Sequence, residues 1–437
     1  MSRDRGSNET NTPVETGDYT GTGLGITKRM VQELEPKVQL YDENDDGLQL
    51  YCYTSCSASD SNLVKACRGV VFHGDTLVMR SFAYTPEFTN NDYDHISVEL
   101  TGFELDQCRI LDSHEATLAR VCFFNGKWII CTHKRLNVFK SKWASTHSFG
   151  DILVEALKSE YELKENLKNR IDSSEVQGSI LDKFLSTLNP DNKYMILIRN
   201  IEENRIVCNA PETPIIYHAG TYIGDDPLIS FDDNIGLSKP REHRFQSIEA
   251  AQDYVKKEGF KHIQGVIIFK PDGSHFKIVN EQYKELFNVR GNEPSLRLRY
   301  LEVRKHKIYR DALYFLYPDR IKSFIKYENL LFKFAKDLYK KYIRRFIKEK
   351  YVNLPDEEFT VVLTCHKWQQ KNPDKHFVTM SKVYNVINEQ RPVTLNRMIR
   401  AYIVSKLNTN NGYNQSKPAP KSKPKPRVAK YTPKKKR

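Results

Sequence analysis

The 437-residue chain carries 39% hydrophobic residues, and its 68 Lys and Arg against 55 Asp and Glu give a formal charge of +13 at pH 7. No window approaches the ~18 consecutive apolar residues of a membrane span, and no basic-then-apolar leader is visible, so a soluble protein is expected. The length suits two domains and a sizeable core, and the low apolar fraction reflects polar ends and a highly charged helical region.

Residues 1–25 hold no apolar periodicity and read as a disordered N-terminus. Helical periodicity over 28–40 and again over 151–185 interrupts a core that is otherwise strand-rich to about residue 290. The eight cysteines form no Cys-x-x-Cys pair and several fall in predicted core strands, which fits reduced intracellular thiols. Cys52 and Cys56 near His73, and Cys365 beside His366, both lack the second ligand pair of a structural zinc site, so no metal ligands are assigned. Toward the end of the core, Gly265-Val-Ile-Ile-Phe-Lys270, the turn Pro271-Asp272-Gly273-Ser274 and His275-Phe-Lys277-Ile-Val predict a β-hairpin, because Asp-Gly accepts positive φ. Lys277 then leaves the return strand toward one face only.

Arg290-Gly291-Asn292 marks a linker, and the pattern beyond it turns helical. Ile321, Phe324, Ile325, Leu331, Phe334, Leu338, Tyr342 and Phe346 recur at helical spacing. The opposite face is basic, with Lys322, Lys326, Lys333, Lys336, Lys340, Lys341, Arg344, Arg345 and Lys348. Such a face is either a solvated surface or an RNA contact. Further helices are predicted over 380–388 and 395–403, separated by Pro392. From 417 to 437 there are ten Lys or Arg and no acid, so most of the excess charge lies in this tail. Its interleaved prolines favour an extended chain, and its cations, including Lys434, Lys435 and Lys436, suit nucleic-acid tethering, nuclear import or plain solubility.

Three segments, in order, resemble the phage-type RNA ligase 1 family of covalent nucleotidyltransferases: Cys67-Arg68-Gly69-Val-Val-Phe72, Asn204-Arg205-Ile206-Val207, and the run Asp272-Gly-Ser-His-Phe-Lys277-Ile. The resemblance covers roughly residues 50 to 290. It implies an α+β fold with an ATP-grasp-like antiparallel nucleotidyltransferase core over 26–290, here followed by a helical domain over 291–410 and a basic disordered tail over 411–437. It also implies ATP and Mg as cofactors and RNA as partner. In that family a motif lysine attacks the α-phosphate of ATP, a task that suits a desolvated amine.

Aligned on that motif, Ile110-Leu-Asp-Ser113-His-Glu115-Ala-Thr-Leu118 places Ser113 where the nucleophilic lysine belongs, with Glu115 on the aspartate, and serine cannot form the phosphoramidate. Gln264 replaces a metal-side glutamate, Met195–Ile198 carries no carboxylate, and Val279 replaces the second of two lysines. Arg68 and Lys277 remain as phosphate partners, with Glu115, Lys134 and Arg135 expected around the pocket. Phosphoryl transfer depends on positioning and charge neutralisation, so these losses together predict a protein that binds RNA and nucleotide without self-adenylation. The alternatives are an active RNA ligase with a relocated nucleophile, Lys134 before Lys127, and a structural nucleic-acid-associated scaffold. Lys340, Lys341, Arg344 and Arg345 are the helical candidates for RNA contact. A degenerate ligase core with a basic tail also fits an intracellular viral protein acting in nucleus or cytoplasm.

Overall fold

Alternating apolar and polar residues divide the first three hundred positions into fourteen short strands in the computed structural model, which describes residues 25–372 and 377–411. The expected disordered N-terminus up to residue 24 and the cluster Lys434–Lys436 lie outside the described residues. In chain order the strands are β1 (Val38–Glu43), β2 (Leu48–Tyr53), β3 (Arg68–His73), β4 (Thr76–Met79), β5 (Glu87–Thr89), β6 (Arg109–Ser113) and β7 (Ala116–Phe124), then β8 (Lys127–Cys131), β9 (Lys193–Arg199), β10 (Ile216–Tyr222), β11 (Ile229–Ser230), β12 (Glu242–His243), β13 (Gly265–Phe269) and β14 (His275–Val279). They form three sheets in the orders β1-β2-β3-β4, β11-β10-β9-β7-β8 and β12-β6-β13-β14-β5. Every pairing is antiparallel except β14 with β5. The fold is thus mixed α+β, with antiparallel sheets and a helical C-terminal region.

The chain divides into two compact units, 25–299 with 303–318, and 300–302 with 319–411 among the described residues. In the first unit the middle sheet is apolar on both faces. One face carries Ala119, Val121, Ile196 and Ile198 against the helices Phe149–Leu163, Glu165–Asp172 and Ile180–Ser186. The other meets Leu48, Leu50 and Val71 of the first sheet through Leu118, Cys122 and Met195. The third sheet packs Ile110, Val266, Ile268 and Ile278 on Ala251 and Val255 of the helix Ile248–Glu258. The predicted hairpin is present as β13 and β14, with Phe269 opposite His275 and Ile267 opposite Lys277.

The predicted helix over 28–40 shrinks to Lys28–Gln32, because Pro36 brings no N–H to an intrahelical bond and the chain turns into β1. In the second unit the long helix Ile321–Tyr342 buries Phe324, Leu331, Phe334, Ala335, Leu338 and Tyr342. Ile325, expected on that face, is 49% exposed. The helix Asp356–Lys371, which periodicity did not single out, supplies Val361, Val362 and Cys365 to the same core, and its acidic first turn complements its N-terminal dipole. Pro392 opens the helix Pro392–Asn411 as its first residue, a position where its missing N–H costs nothing.

Candidate functional site

Strand β6 ends at Ser113, and after only His114 and Glu115 the chain enters β7 of the neighbouring sheet. A cavity of about 260 Å³ opens beside this link, walled by Leu111, Ile267 and Phe269 on one side and Leu118, Leu197 and Ala219 on the other. The period of two puts Leu111 and Ser113 on the cavity face of β6. Asp112 turns the opposite way, and its carboxylate accepts from His243 Nε2 at 2.8 Å and from the Tyr254 hydroxyl at 3.0 Å. Arg68, Thr85, Ser113, His114, Thr117, His133 and Lys277 contribute to the polar lining.

Ser113 Oγ and Lys277 Nζ both donate to Gln264 Oε1, at 3.2 and 3.1 Å, and Gln264 Nε2 donates to the Tyr283 hydroxyl at 2.8 Å. The Ser113 hydroxyl and the Lys277 amine therefore sit side by side on one amide. Burial pushes the Lys277 ammonium below the usual lysine range, Glu87 at 3.7 Å opposes this, and Arg68 and Lys284 reinforce it. Burial works against the Glu87 charge too, but Lys277 and Lys284 together hold its carboxyl below the usual range.

Arg68 donates to the Ala83 carbonyl at 3.3 Å and to Thr85 Oγ1 at 3.4 Å, with no carboxylate in ion-pair reach among the described residues. Behind it Arg120 is fully buried, donating to the carbonyls of Gly69 and Thr132, also without an acidic partner among the described residues. Burial first, then Arg68 and Arg120, hold His133 neutral well below the ordinary imidazole range. His275 falls to about 4 through burial, Arg68 and Lys277. Apolar walls beside Arg68, which has no carboxylate in reach among the described residues, and Lys277, whose nearest carboxylate is 3.7 Å away, suit an anionic, flat-ringed ligand. The Gly of Cys67-Arg68-Gly69 is dictated by the same packing. Its φ is +85°, and a Cβ there would lie 2.8 Å from the His133 carbonyl oxygen.

The structure brings Arg68, Ser113 and Lys277 together and leaves the other sequence candidates elsewhere. Glu115 is buried away from the cavity, its carboxylate accepting the backbone N–H of Val207 at 2.8 Å and of Ile206 at 3.3 Å. Burial raises its pKa, and these donors pull it back. Lys134 is exposed over the Tyr41 ring at 4.5 Å, and Arg135 lies 3.5 Å from Asp42; neither lines the cavity. In the second unit Lys341 pairs with Glu358 at 2.6 Å and Arg345 donates to the Val352 carbonyl at 2.9 Å, whereas Lys340 and Arg344 are exposed. Sequence reasoning missed His133, Thr85, Tyr283 and Arg120. Of these only Arg120 left a signal, an arginine inside the apolar run Leu118–Phe124.

Among the described residues no three His, Cys, Asp or Glu side chains gather as metal ligands. The carboxylates nearest the cavity, Asp112 and Glu87, are already engaged by His243 and Tyr254 and by two lysines. The donor set therefore does not fit Mg²⁺, whereas the cations and apolar walls fit a nucleotide.

No protein-family model matches the chain. It is 29% identical over 388 residues to an immediate-early protein ICP-46 homolog of Invertebrate iridescent virus 6, covering 84% of this chain and 83% of that protein. It is 26% identical over 362 residues to the ICP-46 homolog of Invertebrate iridescent virus 3, covering 79% and 75%. Among solved structures it aligns with an archaeal ATP-dependent RNA ligase at 10% identity and a TM-score of 0.35, over 89% of this chain and 80% of that one. It also aligns with an RNA ligase of Naegleria gruberi at 11% identity and a TM-score of 0.28, over 42% and 53%.

Proposed function

We propose that this is an RNA- and nucleotide-binding protein on a ligase-derived nucleotidyltransferase core, in which self-adenylation at the motif position has been lost. The observation that carries the reading is Ser113. A hydroxyl bonded to Gln264 occupies the motif position, inside a cavity whose cations Arg68 and Lys277 would hold a polyphosphate while the apolar walls hold a base. Charge-assisted contacts of this kind bind phosphate without supplying a nucleophile. The viral relatives support an intracellular site of action during infection.

The test is incubation of the full chain with α-labelled ATP and Mg²⁺ or Mn²⁺, followed by denaturing electrophoresis, beside titration with a fluorescent ATP analogue. The expected result is saturable analogue binding with no acid-labile, base-stable adduct. Absence of analogue binding sinks the nucleotide reading, and an adduct sinks the loss of adenylation.

A second reading is favoured by one observation: among the described residues Lys277 is the one lysine lining the cavity, and burial lowers its pKa. Were an adduct to form, the neutral Nζ would attack the α-phosphorus, a P–N bond forming as the bond to the bridging oxygen breaks, pyrophosphate leaves and the amine loses a proton. Peptide mapping then places the label on Lys277. A label on Lys134 contradicts the geometry.

A further inference from the structure

We infer that the outer face of the helix Ile321–Tyr342 is the track along which a single-stranded polynucleotide lies, an inference that rests on the RNA-binding reading and assigns it a surface. At about 100° per residue, Lys322, Lys326, Lys333, Lys336 and Lys340 fall within about 80° of one another around the helix axis. All five are exposed, as is Arg344 in the π-helical turn Ile343–Ile347 that follows. Lys322, Lys326, Lys333 and Lys336 make no ion pair with a described residue, and Lys340 meets Asp337 only at 3.7 Å while remaining 66% exposed.

The charge is aligned along the helix rather than scattered. With a rise of about 1.5 Å per residue, the five lysines span about 27 Å, long enough to follow several phosphates of an extended strand. Of the two acidic residues of this helix, Glu328 lies on another side, where it accepts from the Tyr300 hydroxyl at 2.9 Å, and Asp337, at the edge of the stripe, is engaged by Tyr402 and Lys406. Beside the cations Phe332 is 53% exposed and rests edge-on against Tyr384, at 6.3 Å between ring centroids. A fixed, exposed aromatic ring flanking a row of cations is the arrangement that stacks a base while the backbone follows the charges. A duplex offers no unstacked base to that ring, so the single strand is the form that uses both features. RNA and DNA share this chemistry, and the strand type is separated by experiment.

Fluorescence anisotropy of a labelled 20-nucleotide oligouridylate, with oligothymidylate and a duplex as companions, tests the surface. The proteins are the full chain, K326E/K333E/K340E, its Gln counterpart, F332A, and a chain ending at residue 411. Matched thermal melts establish that the exposed substitutions leave the fold intact. The expected result is at least a tenfold loss for the charge variants. The Gln variant should also show a salt slope shallower by about 2, since each released single-strand contact contributes about 0.7. F332A weakens both single strands and leaves duplex binding unchanged. If the full chain binds oligouridylate and the triple variants bind it equally well, with only the shortened chain weakened, the stripe is overturned while the RNA-binding reading stands. If the full chain binds no strand at any salt, that reading itself fails.

Discussion

At Lys277, register and burial pull the side chain in one direction and solvation in the other. Strand β14 aims the amine at the cavity, where it finds Gln264 Oε1 and a distant Glu87, too little to offset its lost hydration. A bound polyphosphate would supply the missing negative charge, so binding favours the ammonium. Since the folded pKa lies below the ordinary lysine value, affinity for a nucleotide falls as pH is raised through that lowered value. In the unliganded protein the same shift has the opposite sign for stability. The unfolded chain keeps its proton longer, so the Lys277 contribution is present above the ordinary lysine pKa and lost as pH falls through the folded one. Lys277→Ala and Arg68→Ala should each weaken analogue binding roughly 10- to 100-fold, the worth of a charge-assisted contact. Lys277→Arg, which does not titrate, should bind with an affinity that does not fall as pH is raised toward the ordinary lysine value of about 10.4. Isothermal titration up to that pH decides it, and a wild-type profile as flat as the arginine variant's would remove Lys277 from the phosphate site.

Strand β3 shows why some of the site was legible in the sequence and some was not. Arg68 could be read because it stands in the motif Cys67-Arg68-Gly69, but the reason for Gly69 could not, since the His133 carbonyl that a Cβ there would meet comes from far along the chain. Gly69→Ala should cost at least about 2 kcal/mol through strain and the clash together, visible as a lower urea midpoint with an unchanged slope. The β13–β14 hairpin was legible, since a turn and a period of two are written in adjacent residues. Glu115 and Lys134 were not. The partners that turn Glu115 away from the cavity lie 91 and 92 residues further along, and the ring that holds Lys134 belongs to β1, far upstream. Arg120 likewise found its partners only when β3 and the residues after β8 closed over it. In the long helix, spacing located the buried face, but it could not tell that Lys341 and Arg345 are consumed by Glu358 and the Val352 carbonyl.

For the whole molecule, the proposed function implies that charge and cavity would serve two kinds of binding that respond differently to salt. Ten of the Lys and Arg residues lie in 417–437 with no acid among them, so a chain ending at 411 falls from +13 to +3. A row of cations binds a polyanion by releasing condensed counterions, and for a single strand up to about 7 units of salt slope would accompany ten contacts. The cavity works by burial and a few short contacts, which salt screens much less. Ending the chain at 411 should therefore lower oligonucleotide affinity most at low salt, flatten its salt dependence by several units and leave binding of the ATP analogue unchanged. Arg68→Ala should do the reverse, weakening analogue binding by the same roughly 10- to 100-fold while the oligonucleotide salt slope stays within about one unit of wild type. Measuring both ligands on both variants from about 50 to 200 mM salt gives the outcome. Parallel loss of both ligands in either variant would mean that cavity and cationic surfaces act as one site, and the separation argued from their charge distribution would be wrong.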